Sequence, residues 1–384
     1  MGFLGFKRAD GSAGVRNHVV VMSSVSCANG VVQAVGRELP EVKPITHTEG
    51  CGRGLKDIAI STRTLAGLGR NPNVAAVLVI GLGCEFIKAP GLIDQIKGSG
   101  KPALALVIQD EGGTVKTTRK AVEICRQWLD EAGRMKREQC GWDKLMLGLE
   151  CGGSDALSGV TANPVIGVAA DWLVEQGGTV ILSETTEMIG TEKILARRAR
   201  DPALAEKIVS LIQGQEKLTK ELLGPLAGLV ISPGNIEGGL STIQEKSLGC
   251  VIKGGGSPIN EVVDYAAVVS RKGLVIMDSP GSDIFQLTGM AASGAQLTVF
   301  STGRGTPAGF PVMPVVKISS STELFEKMRD DMDFDAGRAL KGMGIREAGK
   351  ELIELIGKVA NGALTRAEVN RQDLVAIHTV GPAF

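Results

Sequence analysis

Four cysteines follow predicted β-strands at equivalent positions. Cys27 closes the stretch VVVMSSVSC, Cys51 closes PITHTEGC, Cys84 closes VLVIGLGC and Cys151 closes LMLGLEC. The carboxyl ends of parallel strands lie at one edge of a sheet, where loops and helix N-termini converge on ligands. A single free cysteine is more often a small buried apolar residue. Four at matched strand ends favour a shared chemical role.

Imidazole and carboxyl groups lie near the same strand ends. His47 precedes Cys51 by four residues, which suits a metal ligand or a base as well as a structural histidine. Thiolates with imidazole and carboxylates bind iron, zinc or an iron–sulfur cluster in preference to calcium. We therefore predict iron, as Fe2+ or an iron–sulfur cluster, with another divalent metal as the alternative. The carboxyl and hydroxyl groups near these ends are Glu49, Glu85, Asp110, Glu111, Ser154, Asp155, Glu184 and Glu187.

Three glycine-rich loops carry further polar groups. In LECGGSDALSG the glycines let a ligand approach the backbone, and Ser154 and Asp155 either act on that ligand or cap a tight strand-to-helix turn. The loops KGGGSP and STGRGTP offer backbone N–H groups to an anion, and Lys253 and Arg304 add positive charge for a carboxylate. Plain turns are the alternative, since neither loop matches a phosphate-binding or dinucleotide-binding motif.

The elements that position these residues alternate between apolar strands and amphipathic helices. Runs such as NVAAVLVIGLGC and PALALVIQDEGG are each followed by a helical pattern, which is typical of parallel sheets with crossover helices. We predict an α/β protein with two such units and a C-terminal part rich in glycine loops. The polar junction REQCGWD divides an N-terminal domain, residues 1–138, from a catalytic domain, residues 139–384.

Composition narrows the class of partner. The 384 residues include 42 basic and 42 acidic side chains and only 3% aromatics, which disfavours nucleic acid and anionic lipid as partners. The sequence has no run of eighteen uncharged apolar residues and no signal peptide, so we expect a cytoplasmic protein. The seven cysteines are odd in number, which indicates reduced thiols rather than a disulfide framework.

The order of motifs resembles the altronate and galactarate dehydratase family, specifically its large catalytic subunit, with the large (beta) subunit of sulfolactate sulfo-lyase as a close relation. The resemblance runs from about Gly5 to Ala367. It is carried by RADGSAGVRN, SVSCANG, HTEGCG, NVAAVLVIGLGCE, LECGGSDALSGVTANP, GGTVILSETTEM, PGNIEGGLSTIQEKSLG, KGGGSPI and STGRGTPAGFPVMPVVKISS.

The resemblance implies a lyase that removes the proton α to a carboxylate and expels a β-group, leaving a 2-keto acid. It also implies a metal, typically iron, held by residues at the family's motif positions. The implied ligands are Cys27, His47, Cys51, Cys84 and Cys151. His47, Asp155 and Glu184 are the alternatives for the base, Ser154 is expected to hydrogen-bond the substrate, and Lys253 and Arg304 to bind its carboxylate.

Three functions fit these expectations. The first is the large subunit of a (2R)-sulfolactate sulfo-lyase that releases sulfite and pyruvate. The second is a sugar-acid dehydratase large subunit, and the third a non-catalytic protein that binds a sugar acid. Because the chain begins at the first shared motif, we expect a separate small β-rich subunit and an oligomeric assembly.

Overall fold

Two parallel β-sheets with flanking helices form most of the chain, which confirms the predicted α/β class. The structure is a computed structural model that describes residues 2–225 and 230–384. The strands are β1 (Gly2–Lys7), β2 (Ala13–Gly14), β3 (His18–Ser23), β4 (Lys43–Ile45), β5 (Val74–Gly81), β6 (Ala103–Val107), β7 (Glu138–Gly141), β8 (Met146–Cys151), β9 (Thr179–Leu182), β10 (Ile259–Val263), β11 (Gly273–Met277), β12 (Leu297–Thr302), β13 (Val315–Ser319) and β14 (Phe334–Asp335).

Helices connect the strands of each sheet and cover both of its faces. They are α1 (Asn29–Glu38), α2 (Leu55–Arg70), α3 (Ala89–Ile96), α4 (Thr114–Arg134), α5 (Ala162–Glu175), α6 (Glu192–Ala196), α7 (Pro202–Leu223), α8 (Pro233–Glu237), α9 (Ile243–Val251), α10 (Asp283–Ser293), α11 (Thr322–Lys327), α12 (Ile345–Ala360) and α13 (Arg366–Val369). Among these described helices, none combines the length and the apolar character needed to cross a membrane.

The two parallel sheets have four and seven strands. The first has the order β4-β3-β5-β6 and the second the order β10-β11-β9-β8-β12-β13-β14. Every residue of β5 is buried, as a central strand covered on both faces requires. A third, antiparallel sheet has the order β2-β1-β7, and in it β1 pairs with the strand that contains the predicted domain boundary.

The two units share one hydrophobic core, in which α2 packs against α10. A Cβ atom added at Gly67 on α2 would lie 2.3 Å from the carbonyl oxygen of Ala292, so this contact depends on glycine. The buried amide of Asn71 donates to the carbonyl oxygens of Ala291 and Ala295 at 2.7 and 2.8 Å. These contacts fix α2, which belongs to the first unit, against α10, which belongs to the second.

Candidate functional site

A buried cluster of ionisable groups lies at the carboxyl end of the second sheet. Cys151 is the last residue of β8, and Glu184 follows β9 by two residues. Glu187 lies in the short 3-10 turn Thr185–Met188 that continues from β9. Both strands are buried almost throughout, so the side chains at their ends enter the protein interior. We call this cluster, with the α9 residues below, the thiol–carboxylate centre.

Helix α9 completes the thiol–carboxylate centre from the side. Lys246, Cys250 and Lys253 are spaced four and then three residues apart, which places them on one helical face. Lys253 lies in the 3-10 turn after α9 and its side chain is 0% exposed. Cys250 is also buried. The centre therefore combines residues from three separate parts of the chain.

Four of these side chains have their ligand atoms close together. The sulfur and carboxylate oxygen atoms of Cys151, Glu184, Glu187 and Cys250 all lie within 4.8 Å of one another. The Cys151 sulfur is 3.1 Å from a Glu187 oxygen and 3.7 Å from the Cys250 sulfur. Across residues 2–225 and 230–384, this is the one group of three or more such ligands with that spacing.

Two ammonium groups contact the same four side chains. Lys253 donates to the carboxylate of Glu184, and its nitrogen lies 3.1 Å from the sulfur of Cys151 and 3.2 Å from that of Cys250. Lys246 forms an ion pair with Glu187. Buried charges are tolerated when they are paired in this way.

The neighbouring groups shift the pKa values of the two thiols in opposite directions. A hydrogen bond from Cys250, together with the charges of Lys253 and Lys246, holds the pKa of Cys151 well below its ordinary value. Burial, with the neighbouring Cys151, raises the pKa of Cys250 well above that value. Burial and the Cys151 thiolate raise the pKa of Glu187 to about 8. Cys151 is thus the group that carries thiolate character.

The backbone at Glu184 adopts an uncommon conformation. Its φ of 73° lies in the left-handed region, which side chains other than glycine, asparagine and aspartate seldom occupy. The N–H of Glu184 donates to the hydroxyl of Ser279 at 2.8 Å, which stabilises this conformation. Local strain of this kind is concentrated at functional sites.

The donor chemistry of the thiol–carboxylate centre fits a transition metal. Two soft thiolates beside two hard carboxylates suit iron or zinc better than magnesium or calcium, because thiolates are poor ligands for the latter two. When all four are ionised, the two lysines leave two negative charges, which one divalent cation would neutralise.

A cleft of about 250 Å3 adjoins the thiol–carboxylate centre, of which Lys246 and Cys250 line it. Ser154 and Asp155 also line this cleft. The hydroxyl of Ser154 is buried and has no hydrogen-bond partner among the described residues, so it is available to a ligand. Arg304 is at the exposed rim of the loop, where it pairs with Glu237 at 2.8 Å.

Asp155 serves a structural role in the turn after β8. Its carboxylate accepts hydrogen bonds from the backbone N–H and the hydroxyl of Ser158 at 2.8 and 2.7 Å, and from the hydroxyl of Ser320 at 2.9 Å. A Cβ atom added at Gly303 would lie 2.1 Å from the Asp155 carboxyl carbon, so the turn is also tightly packed. These hydrogen bonds make Asp155 a turn cap, and its role as the base stays a prediction.

Replacing Asp155 by alanine should lower the free energy of unfolding by about 1–2 kcal/mol, because the turn loses its cap. Urea denaturation measures this loss. Asp94→Ala, at an exposed aspartate of α3, is the matched control and should change stability by less than about 0.5 kcal/mol. If Asp155→Ala keeps its full stability but loses all turnover, the result would support Asp155 as the base and contradict the capping role.

The other three strand-end thiols belong to the first sheet. Cys27, Cys51 and Cys84 are exposed, on loops that two backbone hydrogen bonds connect. Cys151 lies at the end of the second sheet, where its neighbouring thiol is Cys250, and the binding of one ligand by all four thiols stays a prediction. The strands belong to two sheets, so their carboxyl ends form two edges. Metal binding by Cys27, Cys51 and Cys84 stays a prediction.

Both ring nitrogens of His47 are already hydrogen-bonded. Nδ1 accepts from the N–H of Glu49 at 3.1 Å, so Nε2 carries the proton and donates to the carbonyl oxygen of Ser23 at 2.8 Å. The one available lone pair, on Nδ1, is therefore occupied by the Glu49 N–H. These hydrogen bonds make His47 a connection between two loops of the first sheet, and its roles as ligand and base stay predictions.

His47 should make the protein less stable in acid. Burial lowers its pKa, so below about pH 6.5 the unfolded chain takes up a proton that the folded chain does not. Stability should fall with decreasing pH, by up to about 1.4 kcal/mol per pH unit from this residue. Denaturation at pH 7.5 and 5.5 measures the slope, which His47→Gln should reduce. An unchanged slope in His47→Gln would contradict this assignment.

Cys250, Lys246 and Glu187 are site residues that the sequence-based assignment omitted. Glu187 had been noted only as one of several acids near strand ends. Lys246 and Cys250 lie on α9 and follow no strand, so a pattern of residues at strand ends does not include them. The usable signal was the spacing of Lys246, Cys250 and Lys253, which places two cations and a thiol on one helical face.

Two protein families match this chain, one in its N-terminal part and one in its C-terminal part. The C-terminal domain of D-galactarate/altronate dehydratase matches residues 142–383, and the second domain of D-galactarate dehydratase/altronate hydrolase matches residues 5–133. The chain is 36% identical to altronate dehydratase of Bacillus subtilis over 391 residues, covering 99% of this chain and 78% of the relative.

Two further relatives carry other names. The chain is 34% identical to (2R)-sulfolactate sulfo-lyase subunit beta of Chromohalobacter salexigens, over 95% of this chain and 94% of the relative. It is 35% identical to galactarate dehydratase (L-threo-forming) of Escherichia coli, over 94% of this chain and 73% of the relative. The named relatives are all lyases.

Proposed function

The chain belongs to the D-galactarate/altronate dehydratase family, and on that premise we propose that it removes a β-leaving group from a 2-hydroxy acid to give a 2-keto acid. Membership makes it an enzyme of the lyase class, as predicted. The observation that carries the proposal is the thiol–carboxylate centre, which combines cationic, acidic and metal-binding groups beside a cleft.

The reaction needs a base for a weakly acidic proton. Of the three predicted bases, only Glu184 lies in the thiol–carboxylate centre, where it is paired with Lys253. His47 and Asp155 have their acceptor atoms in hydrogen bonds outside this centre. Transfer of a proton from Lys253 Nζ to Glu184 Oε would leave a neutral amine. We assign to this amine the removal of the proton from C2 of the substrate.

The remaining steps follow from the same pair. The electron pair of the broken C2–H bond forms the C2–C3 double bond as the β-group leaves C3. Protonated Glu184 can give its proton to a departing hydroxide, whereas sulfite departs with its own charge. The enol product then tautomerises to the 2-keto acid. A metal held by Cys151, Glu187 and Cys250 would supply Lewis-acid stabilisation of the developing negative charge and would leave Glu184 to carry the proton.

For the substrate we put (2R)-sulfolactate first, because STRTLAGLGRNPNVAAVLVIGLGCE and SETTEMIGT resemble the sulfo-lyase large subunit, although the single-chain dehydratases share most of those residues. Water release from altronate or galactarate is the second candidate, because the dehydratase relatives are 36% and 35% identical to the chain, against 34% for the sulfo-lyase subunit. In the sulfo-lyase candidate the chain works with a separate small subunit, since the relative is named as one subunit.

A product assay tests the proposal. The purified chain, with and without a co-expressed small subunit, is incubated with (2R)-sulfolactate, altronate and galactarate. Sulfite and 2-keto acid are then measured separately. Equal amounts of both from sulfolactate would support the first candidate, and 2-keto acid from a sugar acid the second. Binding of these acids without any 2-keto acid would contradict both.

A further inference from the structure

A second group of buried charges lies on the opposite face of the seven-stranded sheet. Glu150, Phe300 and Lys317 are in register across the adjacent strands β8, β12 and β13, so their side chains share one face. All three are 0% exposed. Each charged residue interrupts an otherwise apolar strand, where lysine and glutamate are rarely found without a partner.

These charged groups have no hydrogen-bond partner within the part of the chain that the structure describes. This holds for both carboxylate oxygens of Glu150 and for the ammonium nitrogen of Lys317. The Lys317 nitrogen lies 3.8 Å from the centroid of the Phe300 ring, which compensates for only part of its lost hydration. Burial lowers the pKa of Lys317 to about 7. Buried polar groups of this kind are normally hydrogen-bonded to something.

Asp283 connects this group to the loop that follows β8. It is the first residue of α10 and is half-buried. A Cβ atom added at Gly152 would lie 2.3 Å from its carboxylate oxygen, so Asp283 covers the residue next to Cys151. After burial, the charge of Cys151 is the largest influence that raises the pKa of Asp283. The unpartnered groups therefore adjoin the thiol–carboxylate centre.

We propose that Glu150, Asp283 and Lys317 form the subsite that binds the acid end of the 2-hydroxy acid substrate. This inference rests on the proposed function. A 2-hydroxy acid carries a carboxylate beside a hydroxyl group. The carboxylate accepts hydrogen bonds from the Lys317 ammonium, and the hydroxyl donates to Asp283 or Glu150. One ligand thus supplies the partners that both signs of charge lack.

Binding of tartronate tests the subsite apart from turnover, because C3 of this 2-hydroxy acid is a carboxylate carbon and carries no leaving group. Isothermal titration should show that Lys317→Met binds tartronate at least about tenfold more weakly than the wild type. The ligand-free Lys317→Met protein should melt at a temperature equal to or above that of the wild type, because methionine needs no hydrogen-bond partner. Lys327→Met, at an exposed lysine of α11, is the matched control and should bind as the wild type does.

Asp283→Asn provides a second test if Lys317→Met does not fold, since Asp283 is only half-buried. It should also weaken tartronate binding by about tenfold. Unchanged binding in either folded variant, or no binding of tartronate by the wild type, would overturn the subsite. Turnover of a hydroxy acid with unchanged binding in the variants would refute the subsite alone. Lys317-dependent binding without turnover of any acid would refute the proposed function alone.

Discussion

Lys253→Met should abolish turnover and lower the free energy of unfolding by about 3–5 kcal/mol. Lys253 is 0% exposed, and its ammonium contacts Glu184, Cys151 and Cys250. Methionine preserves the length of the side chain but leaves the Glu184 carboxylate buried without a positive partner. It also removes the amine to which we assign proton removal. Urea denaturation and the product assay measure the two effects.

The double variant Lys253→Met/Glu184→Gln separates stability from catalysis. Neutralising Glu184 removes the unpaired charge, so most of the lost stability should return while turnover stays absent. Lys272→Met is the control for the loss of a lysine, because Lys272 is exposed and its pair with Asp143 is solvated. It should change stability by less than about 1 kcal/mol. A stable and active Lys253→Met protein would rule out both roles of Lys253.

The two parallel sheets were predictable because local pattern determines them. Apolar β-branched runs such as β5 alternate with helices whose apolar residues recur at helical spacing, and a parallel sheet is the arrangement that buries both. The antiparallel pairing of β1 with β7 was not predicted. It joins strands more than 130 residues apart, and nothing in the six residues of β1 indicates which distant strand they meet.

The functional site was predicted where it depends on strand ends and missed where it depends on packing between elements. Cys151 and Glu184 follow strands of one sheet, and Lys253 was identified from its glycine loop. Cys250 contacts Cys151 because α9 packs against the turn after β9. The pattern of residues within the strands does not predict this packing. The roles of His47 and Asp155 depend on hydrogen bonds that only the folded chain reveals.

Lys317 and Glu150 show a signal that the sequence contained. Each is a single charge inside an apolar strand, in VVKIS and MLGLEC. A charge in such a position must find a partner, reach solvent or bind a ligand. The register of β8, β12 and β13 brings both charges to one face, where they have no contact with solvent and no hydrogen bond to each other. Of the three alternatives, we therefore propose that they bind a ligand.

Iron bound to the anaerobically purified protein should fall by more than about tenfold in Cys250→Ser, because a lost thiolate ligand weakens a metal site at least as much as a lost supporting contact. Cys250 is one of the four donors within 4.8 Å of one another. Elemental analysis gives the ratio of iron to protein, and the rise in melting temperature on adding Fe2+ gives a readout independent of turnover. Cys125→Ala, at a buried thiol of α4, is the control and should keep its iron.

The same measurement on Cys84→Ser decides between the two edges of the fold. Cys84 is exposed at the carboxyl edge of the first sheet, with Cys27 and Cys51 on neighbouring loops, and is outside the four-donor group. If the thiol–carboxylate centre holds the metal, Cys84→Ser should retain iron while Cys250→Ser loses it. The reverse result would place the metal at the first sheet. Calcium or magnesium as the only bound metal would contradict iron at either edge, because thiolates are poor ligands for both.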